Sequence, residues 1–211
     1  LLFIHGFNEK CLKNKILMQG YFCSDNIIVL SREFKIKIKN TGYKKNIYIS
    51  FNPVNKEISN YFTTNIIEER RLKKPSNILF LARIEEEKGI MIALKAFEIL
   101  VNKNELFHFY IAGNGSKLKD AEDYVLNNKI KNVHFLGFIK DDEKLKILKE
   151  SDILLFPTYY HEGLPINILE AMSAGLPIVT RPVGGIKDFF INGKMGYIIN
   201  TKNPVDFAEK I

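Results

Sequence analysis

Asn77-Ile78-Leu79-Phe80-Leu81-Ala82-Arg83, then a helical pattern from Gly89 to Val101, then Phe107-His108-Phe109-Tyr110-Ile111-Ala112, reads as strand, helix and strand. The alternation continues. Further strands are predicted over Val133 to Leu136, Ile153 to Phe156, Pro177 to Thr180 and Gly196 to Ile199, with the first two at Asn77 to Ala82 and Phe107 to Ala112. Helices are predicted over Gly89 to Val101, Ser116 to Leu126, Asp141 to Lys149 and Pro165 to Ala174. Short apolar runs alternating with longer helical patterns are the signature of a parallel sheet covered by helices. The fold class expected is therefore α/β, a doubly wound domain with ligands at the carboxyl ends of its strands.

Working back from Asn77, Lys56 to Pro75 is rich in Lys, Glu, Asn and Thr and reads as a connection. Before it, Leu1 to Ile4, Asn26 to Leu30 and Asn46 to Ser50 read as strands, with a helical pattern between the first two. These resemble the tail of a second α/β domain. The domain boundaries expected are 1–56, a linker at 57–75, and 76–211. The 211 residues, 46% hydrophobic, suffice for one full domain and part of another. The chain starts at Leu1 and ends inside the helix-like run from Pro204 to Ile211, so it is expected to be a fragment.

No apolar stretch reaches the length of a membrane span, and Leu1-Leu2-Phe3-Ile4 is too short for a signal peptide core. Cys11 and Cys23 form no metal or redox spacing and fit a reducing compartment. The net charge of +7 lies wholly in residues 1–56, which hold ten Lys/Arg against three Asp/Glu. Such a surface attracts anions, including nucleic acid and anionic membranes. Within it Phe34-Lys35-Ile36-Lys37-Ile38-Lys39 suits either a membrane surface or a plain amphipathic element.

Two carboxylates stand out. Glu162 sits in a loop and Glu170 on the helix after it, which Pro165 can open and Gly175 and Pro177 can close. The neighbours of Glu170 three and four residues away are Ile166, Asn167, Ser173 and Ala174, so it has no intrahelical cation. A carboxylate in apolar company needs donors, and a vicinal diol such as a ribose supplies two. Alternatively, both acids are solvated residues favoured by the helix dipole. Arg83, directly after a strand, and Lys88-Gly89, at a helix start, suit a diphosphate; they also suit a surface cluster with Glu85, Glu86 and Glu87.

Gly113-Asn114-Gly115 lacks the third glycine of a dinucleotide fingerprint and reads as a tight turn. Gly184-Gly185 permits close approach of the backbone to a ligand, or a sharp turn. His5 ends an apolar run, and His161 adjoins Glu162. No metal-ligand spacing, Asp-x-Asp pair, Walker loop or Gly-x-Ser-x-Gly elbow is present.

Taken in order, Ala82-Arg83 to Lys88-Gly89, Ala112 to Gly115, Phe135-Leu136-Gly137-Phe138, Phe156-Pro157 to Glu162-Gly163, Glu170-Ala171-Met172 to Gly175-Leu176-Pro177 and Gly184-Gly185 resemble the nucleotide-sugar half of family 4 glycosyltransferases of the GT-B fold. Upstream, Val29-Leu30-Ser31 and Asn52-Pro53-Val54 resemble further segments of that family, with Asn55 where Asp is usual. The resemblance implies a retaining hexosyltransferase that uses a nucleoside-diphosphate sugar, a saccharide or lipid-linked acceptor and no metal or other cofactor. It implies roles for Glu162 and the backbone of Gly163, Leu164 and Pro165 at the donor sugar, Glu170 at the ribose, Arg83 and Lys88 at the diphosphate, Gly137, Phe138 and Ile139 at the base, and His5 on the acceptor side.

Leu164-Pro165 and Asp188 depart from the common family pattern. The first strands and glycine-rich loop of the acceptor domain, and a closing C-terminal helix, are expected to lie outside this chain, leaving it incomplete as a catalyst. The implied setting is bacterial polysaccharide, lipopolysaccharide or glycolipid synthesis in the cytoplasm, with peripheral contact between 1–56 and the inner membrane. The alternatives are a nucleotide-sugar binding module without turnover and an epimerase or phosphorylase of the same fold. A nucleic-acid partner is not expected, since no aromatic and basic recognition motif accompanies the charge.

Overall fold

Among the described residues every strand pairs in parallel, because helical stretches separate the strands in sequence and leave no room for hairpins. The computed structural model describes residues 2–4, 15–71, 74–103, 106–160 and 163–211. Its contacts separate into two units. The first is Leu1–Pro53 with Tyr160–Ile166 and Pro182–Phe190; the second is Val54–Tyr159, Asn167–Arg181 and Ile191–Ile211.

In the first unit, β1 (Leu2–Ile4), α1 (Lys15–Cys23), β2 (Asn26–Val29), α2 (Arg32–Asn40) and β3 (Asn46–Ile49) form a three-stranded sheet in the order β1-β2-β3 with its helices. Ile4, Ile27, Val29, Phe34, Ile38, Tyr43 and Ile47 make its core. Ser31 caps α2 by accepting the Phe34 N–H at 3.1 Å. The Lys/apolar alternation over residues 34–39 thus forms an α-helix. Phe34 and Ile38, one turn apart, are buried, while Ile36 turns outward at 57% exposure.

The second unit holds α3 (Lys56–Tyr61), α4 (Thr64–Arg71), β4 (Asn77–Leu81), a 3-10 turn (Glu86–Lys88), α5 (Ile90–Lys103), β5 (His108–Ala112), α6 (Leu118–Asn127), β6 (Val133–Gly137) and α7 (Asp141–Glu150). It continues through β7 (Ile153–Phe156), α8 (Ile166–Ser173), β8 (Ile178–Thr180), β9 (Gly196–Ile198) and α9 (Pro204–Ala208). The first residue of α8 and the 3-10 turn Gly184–Asp188 group with the first unit. The sheet order is β6-β5-β4-β7-β8-β9, the doubly wound order, so strands are added outward from β4 on one side and then from β7 on the other. All four residues of β7 are buried. Phe97 on α5 stacks on Phe109 of β5 at 5.1 Å, and α9 packs on α5 with Phe207 buried.

The α/β fold class and its predicted strands are observed, with differences at the ends. α6 starts at Leu118 rather than Ser116, because the N–H and hydroxyl of Ser116 are bound by Glu85 at 3.1 and 2.5 Å. The segment 57–75, read as a connection, largely forms α3 and α4. Asn55 caps α3 by accepting the Glu57 N–H at 2.9 Å, and Ile58 and Phe62 are buried.

Gly113-Asn114-Gly115 does more than turn the chain. The Ile84 N–H donates to the Asn114 carbonyl at 2.9 Å, and the Lys117 N–H donates to the Ile84 carbonyl at 2.9 Å. These bonds press the loops after β4 and β5 together. At Gly113, with φ +149°, an added Cβ would collide with the Ala82 carbonyl. Gly113→Ala is expected to cost at least about 2 kcal/mol, lowering the thermal midpoint by about 4–8 °C in a melt followed by circular dichroism.

Candidate active site

Parallel pairing brings the loops after β4, β5, β6 and β7 to one edge of the second unit's sheet. Arg83 leaves the end of β4 and is exposed, whereas Lys88 is 8% exposed at the turn that opens α5. The first N–H groups of a helix have no intrahelical carbonyl, so this turn sets a cation beside backbone donors. The surface cluster with Glu85, Glu86 and Glu87 is not what forms around Arg83. The Ser116 hydroxyl and N–H hold the Glu85 carboxyl below its usual range, with Arg83 a smaller influence. Among the described residues no ion pair joins Arg83 to the three glutamates. The Glu87 carbonyl accepts the Thr158 hydroxyl at 3.1 Å and the Tyr159 N–H at 2.8 Å, tying the loop after β7 to the turn before α5.

Glu170 is 7% exposed on α8. Its Oε1 accepts a hydrogen bond from Lys144 Nζ of α7 at 3.0 Å. The lack of an intrahelical cation does not leave Glu170 unpaired, since the cation comes from a neighbouring helix. Same-helix spacing says nothing about that. The second carboxylate oxygen of Glu170 is a further acceptor. Asn167 Nδ2 donates to the Leu81 carbonyl at 2.7 Å, fastening the start of α8 to the end of β4. Lys144 and Asn167 are among the residues that sequence reasoning missed. Lys144 lay inside a lysine-rich helix with nothing to single it out, whereas Asn167 lay within the very stretch between the two glutamates.

At the end of β6, Gly137 has φ +68° and its carbonyl accepts the Gly113 N–H at 2.7 Å. Phe138 is 74% exposed and Ile139 is buried, so the two neighbours face opposite ways. At β8, Arg181 follows the strand and its Nε donates to the Thr201 carbonyl at 2.8 Å; burial pushes its pKa down, opposed by Tyr159.

In the first unit, Gly163, Leu164 and Pro165 are buried. The Gly163 carbonyl accepts the Gly185 N–H at 2.7 Å and the Leu164 carbonyl accepts Asn52 Nδ2 at 2.9 Å. Each of those two carbonyls thus spends one of its two acceptor sites on fixing the loop. Gly185 approaches protein backbone closely: an added Cβ would lie 2.5 Å from the Leu30 carbonyl. That contact accounts for the glycine without a ligand. Asp188 accepts the Arg32 N–H at 2.6 Å, placing its charge at the start of α2, where an acid is favoured. Glu162, His161 and His5 lie outside the described residues, as does Cys11.

The family described as Glycosyl transferases group 1 matches residues 61–211. An uncharacterised glycosyltransferase of Methanocaldococcus jannaschii is 28% identical over the whole of this chain and 57% of its own length. The capsular polysaccharide biosynthesis glycosyltransferase CapM of Staphylococcus aureus is 25% identical over 95% of this chain and 54% of its own length. The chain thus spans little more than half the length of these relatives. The structure of Anabaena HepE in complex with UDP and glucose superposes with a TM-score of 0.78 at 16% identity, covering 99% of this chain and 59% of that one. Its fold class is that of the GT-B glycosyltransferases, and by the match over 61–211 the chain belongs to the group 1 glycosyl transferase family.

Proposed function

We propose that the protein transfers a hexose-type sugar from a nucleoside-diphosphate sugar to a saccharide or lipid-linked acceptor. The observation that carries this reading is the Glu170 carboxylate, buried and braced by Lys144, in the same unit as a carboxyl sheet edge bearing Arg83 and Lys88. The carboxylate suits the ribose diol. The two cations suit the diphosphate, and they would stabilise the charge that develops as the nucleoside diphosphate leaves, an electrostatic contribution from donors already in place. With the leaving group neutralised by side chains, the reaction as read needs no metal. Gly137, Phe138 and Ile139 would flank the base. Glu162 and Gly163 to Pro165 would serve the donor sugar and His5 the acceptor side, the roles that the resemblance to retaining family 4 enzymes gives them.

Related proteins support the setting. CapM takes part in capsular polysaccharide biosynthesis, and the HepE structure contains UDP and glucose. We read this protein as acting in bacterial cell-surface polysaccharide or glycolipid synthesis, with 1–56 as part of the acceptor-side domain and 76–211 as the donor domain. No helix among the described residues is long and apolar enough to cross a membrane. The basic 1–56 region, with Ile36, Tyr48 and Phe51 more than half exposed, suits peripheral contact with an anionic leaflet on the cytoplasmic face.

Calorimetric titration with UDP, GDP and ADP is expected to show binding of one. Glu170→Ala and Arg83→Ala should each weaken it by about tenfold or more, with an unchanged far-UV spectrum. Unaltered affinity in both variants would remove the basis of the assignment. Lys144→Met should weaken binding and lower the melting temperature, by less than the about 3–5 kcal/mol of a fully buried pair, because the Lys144 side chain keeps 28% exposure. Sugar transfer by the full-length protein should persist in excess EDTA. Donor binding without transfer would instead identify a binding module.

A further inference from the structure

Arg70 is the penultimate residue of α4, in the segment that the sequence presents as a connection. Its guanidinium reaches two other helices. Nη1 donates to the Ala174 carbonyl, just past the end of α8, while Nη2 donates to the carbonyls of Leu148 at 2.8 Å and Lys149 at 3.2 Å, in the last turn of α7. Carbonyls at a helix C-terminus lack intrahelical donors and carry the negative end of the dipole, so they suit a cation.

The positions gripped are not arbitrary. Leu148 lies four residues beyond Lys144, and Ala174 lies four beyond Glu170, whose carbonyl accepts the Ala174 N–H at 3.0 Å. In each helix the arginine therefore holds a carbonyl one turn beyond a partner of the Lys144–Glu170 pair, on the same face. One planar fork sets the spacing of both helices at the point where that pair forms.

The surroundings make the fork hard to replace. Arg70 is half-buried; desolvation pushes its pKa down and Asp152 opposes this. Its Nε is buried without a hydrogen-bond partner among the described residues. Gly175 packs so closely on α4 that an added Cβ would lie 2.8 Å from Ile67. A lysine would bring one point charge where three carbonyls are spanned.

We propose that Arg70 is a positioning residue for the ribose site: by clamping the C-terminal ends of α7 and α8 it holds Lys144 against Glu170, so that the carboxylate keeps the orientation that reads a vicinal diol. This rests on the reading of Glu170 given above. It predicts that Arg70 governs discrimination between a ribonucleotide and its 2′-deoxy counterpart, which a merely stabilising contact would not affect.

The test is calorimetry on the full-length protein with the nucleoside diphosphate it binds and the 2′-deoxy form, with melting recorded alongside. The native protein should prefer the ribonucleotide by about tenfold or more, and Glu170→Gln should abolish the preference. Arg70→Met should reduce it to within about threefold, with Arg70→Lys between; Arg70→Lys decides the matter if Arg70→Met does not fold. If the preference vanishes in Glu170→Gln but stays at the native value in the folded Arg70 variants while their melting temperature falls, Arg70 is only a structural clamp and the proposal is overturned. Should the native protein show no preference, the ribose assignment of Glu170 fails, and the proposal with it.

Discussion

A parallel sheet can be closed only by crossovers, and that constraint decides where chemistry can occur in the second unit. Each strand must run in the same direction, so every strand-to-helix loop emerges at one edge. The switch in winding between β4 and β7 parts the helices there, and the segments after those two strands carry Arg83, Lys88 and Thr158. Close backbone contact then consolidates the edge. The Glu87 carbonyl, the Asn114 carbonyl and the Leu81 carbonyl each receive a donor from a different segment, so three loops are held by bonds to main chain rather than by side-chain packing alone. Groups that stay fixed before a ligand arrives need no reorganisation when charge develops.

The two units match their carboxylates differently. Glu170 is matched by a lysine from another helix, at short range and with little solvent. Asp188 is matched by a backbone N–H at the start of α2, which requires no basic side chain. A cation partner tolerates small shifts in geometry, while a helix terminus demands that the loop end at one place. The first unit's loop 184–188 is accordingly pinned by both the Gly185–Gly163 and the Asp188–Arg32 bonds.

Much of this was legible in the sequence. Ile153 to Phe156 forms a strand with the bounds expected, since a short apolar run between a helix C-terminus and Pro157 has few other options. Arg83 and Lys88 stand where their sequence positions put them, after a strand and at a helix start. What was not legible depended on contacts between distant residues. Lys144 and Glu170 are far apart in sequence, and neither helix's own pattern reports the other. Residues 57–75 look polar, yet Ile58 within α3 and Phe62 at its C-terminal cap are buried, and Arg70 finds its partners only once α7 and α8 have formed. Gly185 reads as a ligand contact by position alone; its nearness to the Leu30 carbonyl depends on a segment far upstream.

The strand order has a further consequence during synthesis. β4 finds β5 soon after both are made, but its other neighbour, β7, pairs through Ile78 with Ile153. At a translation rate of about 5–20 residues per second, the intervening chain takes roughly 4–15 s to emerge. For that interval β4, a central strand with four apolar residues, has one open edge, a template for unwanted pairing with other nascent chains. Expression temperature and chaperone supply, rather than the stability of the finished fold, would then govern the yield of this protein.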